Sequence, residues 1–376
     1  MSDAARPAAI VTGTNFTNKG AELLGLAARD ALVARGLRPV LPLGLGRLGK
    51  GRQQGFSRLL DLASRPELDR VAARLPGRAL SPAGLVRLGD LRLVLDASGF
   101  LFSDQWGVDV VREGVKRVER LLADGRPLVL LPQAFGPFED EQVRRLSTRL
   151  LERAALVCAR DRVSLGHVEG LGLDVPVRLV PDVTLDWTPP PLLVSAPGRV
   201  LLVPNSRMVD RGGLGREDYL GLLTGLARDL GPLAPGGVAL LVHEAGKGAK
   251  DPELVAELAA RLGDDVAVLA PDDAGEIKAH LAAAALVVTS RFHALESALS
   301  SGVPALALGW SHKYAEALRD VGRPEWMVGL DDAAERVPAL AAQLLADPGV
   351  RPALVTAVQP LKATVRAMWD EVAALV

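Results

Sequence analysis

Arg291 and His293 stand where a short apolar run, Leu286–Thr289, gives way to a helical pattern. In a parallel α/β sheet, ligands bind in the crevice beyond the strand C-termini, and a helix N-terminus there presents N–H groups to an anion. A guanidinium and an imidazole at such a point suit an anionic substrate and a proton to be moved. Phe292, Leu295 and Leu299 have the spacing of an apolar stripe, with Ser290 as the expected N-cap. Arg291 and His293 then flank the stripe, which weighs against reading His293 as a core residue.

Other polar residues follow apolar runs in the same way. The first such run ends in Thr12 and leads through Asn18, Lys19 and Gly20 into a helical pattern. The spacing fails the Walker phosphate loop, because Asn18 precedes Lys19 and Gly20 follows it, and the dinucleotide glycine fingerprint is absent. Lys19 as an anion contact and plain turn chemistry both stay open. After Asp96, Gly99 would let a backbone approach a ligand, and Asp104, Gln105 and Trp106 offer polar and stacking groups suited to a sugar. A structural turn with a partly buried tryptophan fits those residues as well.

Gln133 closes another run and would donate a neutral hydrogen bond to substrate. Arg160 closes the next, as a forked anion donor or as an ion-pair partner of Asp161 or of an adjacent helix. Asp182 reads as a helix cap or a turn residue. His243 lies at a strand end before a loop rich in glycine. Lys313, beyond the last apolar run, is a second cation or an ordinary surface lysine. His167 and His280 fall on amphipathic helices and are assigned no role.

The elements that must position these residues alternate apolar runs with helical patterns, the signature of a parallel α/β fold. Strands are expected at 8–12, 91–96, 127–131 and 155–159, then at 199–203, 238–242, 266–269, 286–289 and 304–308. The proline cluster within 188–198 suits a linker. It divides the chain into Rossmann-like domains at 1–190 and 199–350, with a helical segment at 351–376. Residues 44–55, with five glycines among basic residues, read as a mobile loop. A last helix is expected over 361–375, with Pro360 suited to its first turn.

At 376 residues the chain is long enough for two cores. A net charge of −1 leaves no electrostatic footprint for nucleic acid. Arg144, Arg145, Arg149 and Arg153 have the spacing of a solvated helix face. Cys158 is the only cysteine, so an internal disulfide and a cysteine metal cluster are excluded, and no metal is expected. The N-terminus lacks a signal-peptide pattern, and no apolar run approaches the ~20 residues of a membrane helix. A cytoplasmic protein without a transmembrane segment is expected.

Taken in order, Asn18 to Glu22, Pro132 to Phe138, Ala159 to Ser164, Val180 to Asp182, His243 to Asp251, Ser290 to His293 and Gly302 through Lys313 resemble the polysaccharide pyruvyl transferases. The chain departs from that family at Ala97, Ser98 and Gly99, where many relatives carry a glycine-rich run. The resemblance implies two Rossmann-like domains facing across a cleft, as in GT-B glycosyltransferases. The first would take the acceptor and the second the donor anion, with the last helix packed back on the first domain.

It also implies transfer of an enolpyruvyl group from phosphoenolpyruvate, the co-substrate, to sugar hydroxyls as a cyclic ketal, with no further cofactor. Arg160 and Arg291, supported by Lys313, are the expected anion contacts, and His293 the expected general acid. Methionine at either arginine is expected to weaken donor binding and leave the melting temperature nearly unchanged. Two alternatives remain: a glycosyltransferase or epimerase using a nucleotide sugar, and a sugar-binding relative without catalysis.

Overall fold

The structure, a computed structural model, describes residues 6–42, 48–60, 80–191, 194, 197–211, 214–245, 248–263, 266–309 and 312–376. Of these, the residues of Met1–Phe16, Ala21–Val183 and Ala363–Val376 form one compact unit, and those of Thr17–Gly20 and Thr184–Lys362 a second. Each unit has its own parallel sheet. Part of the proline-rich stretch and Gly44, Gly46, Trp310 and Ser311 lie outside the described residues.

The first sheet runs β4-β3-β2-β1-β5-β6-β7-β8. Its strands are β1 (Ala8–Thr12), β2 (Arg38–Leu41), β3 (Ser57–Leu60), β4 (Leu85–Arg87), β5 (Leu91–Asp96), β6 (Leu128–Gln133), β7 (Leu156–Ala159) and β8 (Val177–Leu179). β1, β6 and β7 are buried along their whole length, as helices on both faces of a parallel sheet require. The order reverses between β1 and β5. Connections therefore leave these two neighbours in opposite directions, which opens a crevice at their carboxyl ends.

The second sheet runs β11-β10-β9-β12-β13-β14. It comprises β9 (Val200–Val203), β10 (Val238–Leu241), β11 (Ala267–Leu269), β12 (Leu286–Thr289), β13 (Ala305–Leu308) and β14 (Met327–Val328). This is the order of a dinucleotide-type Rossmann sheet, with the reversal between β9 and β12. The helix Phe292–Ser300 leaves β12 with Leu295 and Leu299 in the core.

Several expectations need correction. Leu48–Gln53, inside the segment read as a loop, is a helix. The last helix is Val350–Ala373, with Pro360 in its interior rather than in its first turn. Ser290 is not the N-cap of Phe292–Ser300; Arg291 is. No helix among the described residues is long and apolar enough to cross a membrane.

Candidate functional site

In the second unit, the loops after β9 and β12 meet at the strand-order reversal. Arg291 caps the helix Phe292–Ser300 with extended backbone (φ −112°, ψ 120°) and no side-chain cap hydrogen bond. That leaves the positive end of the helix without a capping oxygen from its own N-cap residue. The turn is fixed from behind: Thr289 Oγ1 accepts the Arg291 N–H at 2.9 Å. The Ser290 carbonyl accepts from Asn205 Nδ2 and from the Tyr314 hydroxyl, each at 2.7 Å.

Ser290 Oγ lies 3.3 Å from the Tyr219 hydroxyl, which accepts the Asn205 N–H at 3.2 Å. Burial raises both phenols, Tyr314 to about 12, so both stay protonated donors at neutral pH. Asn205 and Tyr219 have no counterpart in the sequence reading. They lie 85 and 71 positions from Ser290, and nothing local marks them.

Arg291 is held between two carboxylates, with Nη1 2.7 Å from Glu244 and Nη2 2.5 Å from Asp251. Asp251 is buried, and its other oxygen accepts the Ser206 N–H at 3.0 Å. Arg291 thus ties together the loops that follow β9, β10 and β12. Its Nε has no hydrogen-bond partner among the described residues. An incoming anion would meet a guanidinium whose charge is already opposed, which differs from the open cation expected from sequence.

His243, just past β10, is buried, and its imidazole is held well below the usual histidine range. Burial is the main cause, followed by the fields of Arg291, His293 and Lys19. It is therefore a neutral group at pH 7 rather than a second cation.

His293 packs edge-on against Phe292, with ring centroids 5.5 Å apart. Lys313 Nζ lies 5.4 Å from the Phe292 ring centroid and 5.5 Å from that of Tyr314. Lys19 is buried and donates to the Asp272 carbonyl, while Asn18 Oδ1 accepts the Gly20 N–H at 2.9 Å. His243, Arg291, His293, Lys313 and the Asn18–Gly20 turn therefore belong to one neighbourhood.

Gly20 sits against the imidazole, where a Cβ would fall 2.3 Å from His293 Nδ1. Alanine is the better helix former by ~1 kcal/mol, so Gly20→Ala is expected to leave folding intact. It should nevertheless push the ring aside and lower turnover by ~10²-fold, the scale of a 1 Å misplacement. Steady-state rates beside a thermal melt check this, and an unchanged rate would separate His293 from the chemistry.

The remaining candidates lie in the first unit. Arg160 pairs with Asp182 at 3.2 Å, both buried. Asp161 caps the helix Arg162–Glu169 by accepting the Ser164 N–H at 2.7 Å. Asp182, which directly precedes the 3-10 helix Val183–Leu185, is that ion-pair partner.

Asp104 is also committed. Its carboxylate accepts the N–H groups of Phe138, Glu139 and Asp140 at 2.7, 3.2 and 3.0 Å. Trp106 is 36% exposed and its Nε1 donates to the Phe100 carbonyl, leaving part of the ring open for stacking. Gln133, expected as a neutral donor to substrate, is fully buried and bonded to Asp96 and Ser98. Burial of Cys158 raises its thiol and fits an inert core residue.

A family model described as polysaccharide pyruvyl transferase matches residues 18–312. Comparison with curated proteins returns no match. Among solved structures, a putative UDP-N-acetylglucosamine 2-epimerase from Listeria monocytogenes aligns with a TM-score of 0.60 and 13% identity, over 96% of this chain and 94% of that one. A co-structure of S. aureus MnaA with UDP aligns at 0.58 with 15% identity, over 93% and 90%. Anabaena Alr3699/HepE in complex with UDP and glucose aligns at 0.56 with 14% identity, over 99% and 100%. At these identities the likeness concerns the fold, a two-domain α/β architecture of the GT-B kind.

Proposed function

The chain belongs to the polysaccharide pyruvyl transferase family, and from that premise we propose that it moves an enolpyruvyl group from phosphoenolpyruvate to two hydroxyls of a sugar, releasing phosphate. The observation that carries this reading is the pairing of Arg291 and His293 at a helix start beside the strand-order reversal of the second unit. The helix N-terminus suits the donor's negative charge, and the Glu244 and Asp251 carboxylates fix the position of the Arg291 guanidinium beside it.

His293 delivers a proton to the methylene carbon of the donor, which becomes a methyl group. The cationic central carbon takes one sugar oxygen, the bond to phosphate breaks, and a second sugar oxygen closes the ring. Two hydroxyl protons leave: one replaces the proton spent on carbon and the other departs with phosphate. Neutral His243 adds no charge that would compete for the donor. The first unit, with Trp106 partly open, takes the acceptor sugar.

The test supplies the protein with phosphoenolpyruvate or with UDP-sugars, in each case with and without a pool of sugar acceptors. Phosphate release that requires both phosphoenolpyruvate and a sugar is the expected result. Release of UDP would replace this reading with glycosyl transfer, and binding without turnover would replace it with a carbohydrate-binding role.

A further inference from the structure

At the strand-order reversal of the first unit, Asp96 ends β5 and is wholly buried. Ser98 Oγ lies within hydrogen-bond reach of both Asp96 Oδ1 and Gln133 Oε1, the latter at 3.0 Å. Gln133 Nε2 lies 3.3 Å from the same Asp96 oxygen. These three contacts close a ring, and its protons can be counted. Gln133 supplies the proton of the amide contact, and the serine hydroxyl supplies one more. If Asp96 is ionised, the third contact brings two acceptors together. Exchanging the nitrogen and oxygen of Gln133 only moves the deficit to the contact between Gln133 and Asp96.

We propose that Asp96 stands at neutral pH as a carboxylic acid whose proton completes the ring with Ser98 and Gln133, and that it is a positioning residue holding the 97–99 turn in place for the acceptor sugar. The acceptor part rests on the pyruvyl-transfer reading; the proton and the turn do not. Burial acts in the required direction and outweighs the opposing effects of its hydrogen bonds and of Arg117. Arg117, on the helix Val108–Glu119, is a charged group whose field reaches Asp96, while Ser98 and Gln133 are neutral.

The turn has little slack. Gly13 (φ 79°) approaches it so closely that a Cβ would lie 2.5 Å from Ser98 N. Ala97 N–H donates to the Thr12 carbonyl at 2.8 Å, and Ala134 N–H donates to the Gly99 carbonyl at 3.0 Å. The ring thus clamps the carboxyl ends of β5 and β6 beside β1.

Two measurements decide the proton and the turn whatever the substrate. In difference infrared spectra at pH 7, the parent should show a carboxylic-acid carbonyl band that Asp96→Asn lacks. Hydrogen exchange at the Ala97 and Ala134 amides, corrected for intrinsic rates, should accelerate in the parent as pH rises. It should stay flat in Asp96→Asn, whose carboxamide supplies the missing N–H.

Unfolding free energy reports the same proton. A raised folded-state value means the stabilisation is complete below the unfolded aspartate value of ~3.9 and is lost as pH rises through the folded value. Asp96→Asn should lack that decline. The opposite trend from His243, lost as pH falls through ~6.5, cancels in the comparison.

With a competent acceptor, Asp96→Ala is expected to raise the acceptor KM about tenfold at pH 7, and Asp96→Asn to keep it near the parent value. Phosphoenolpyruvate KM should not move in either. Absence of the infrared band, or pH-independent exchange in the parent, overturns the proposal. Loss of acceptor binding in Asp96→Asn equal to that in Asp96→Ala also overturns it. If the band and the exchange behave as expected but no sugar promotes phosphate release, the pyruvyl-transfer reading has failed and the Asp96 proton has not.

Discussion

Replacing His293 with Gln is expected to lower turnover by ~10²–10⁴-fold, the usual range for a lost general acid or base, while folding and donor binding are kept. Gln is a neutral donor of similar reach and has no proton to give to carbon. The effect should fall on kcat, because the helix N-terminus and Arg291 remain to bind the anion. His243 is not positioned to take over, since burial and its cationic neighbours hold it neutral. Initial rates of phosphate release, with a melting curve for each variant, check the prediction. A Gln variant that runs near the parent rate would make His293 a structural residue.

The second large effect concerns stability. Arg291→Met is expected to destabilise the fold by ~3–5 kcal/mol, because it strands the buried Asp251 carboxylate without its cation. The sequence alone led to the opposite expectation, an unchanged melting temperature, because the guanidinium was read as facing an open crevice. Urea unfolding of the single variant and of the Arg291→Met, Asp251→Asn pair separates the causes. The pair should recover much of the loss, since the neutral carboxamide introduced by Asp251→Asn needs no counter-charge. Equal losses in both would show that packing rather than charge holds this corner together.

The contrast shows how far local sequence reaches. Apolar runs such as β6 and β9 were legible because a parallel sheet buries both faces, leaving uninterrupted hydrophobic residues. β2 was hidden by Arg38 and Pro39, a residue disfavoured inside a sheet. β8 was hidden by exposed Arg178 and Leu179 at the sheet edge, and β14 by its two-residue length.

At the site, Arg291 and His293 declared themselves by type and by place at a strand end. Their partners did not, because Glu244 and Asp251 lie 47 and 40 positions away in the sequence. Arg160 illustrates the same limit. Its neighbour Asp161 is the obvious sequence partner and serves as a helix cap, while Asp182, 22 positions away, makes a buried ion pair with Arg160 that nothing local marks. Gln133 and Asp104 were chosen for their chemistry at strand ends, but the turns around them use that chemistry internally.

The central claim, proton delivery to the donor's methylene carbon with transfer to a sugar, is tested most directly by running the reaction in D2O and examining the product by NMR. The expected product is a pyruvate ketal whose methyl group carries one deuterium, formed in step with one phosphate per ketal and only when a sugar acceptor is present. Phosphate release without an acceptor, or a product methyl group without deuterium, would contradict it.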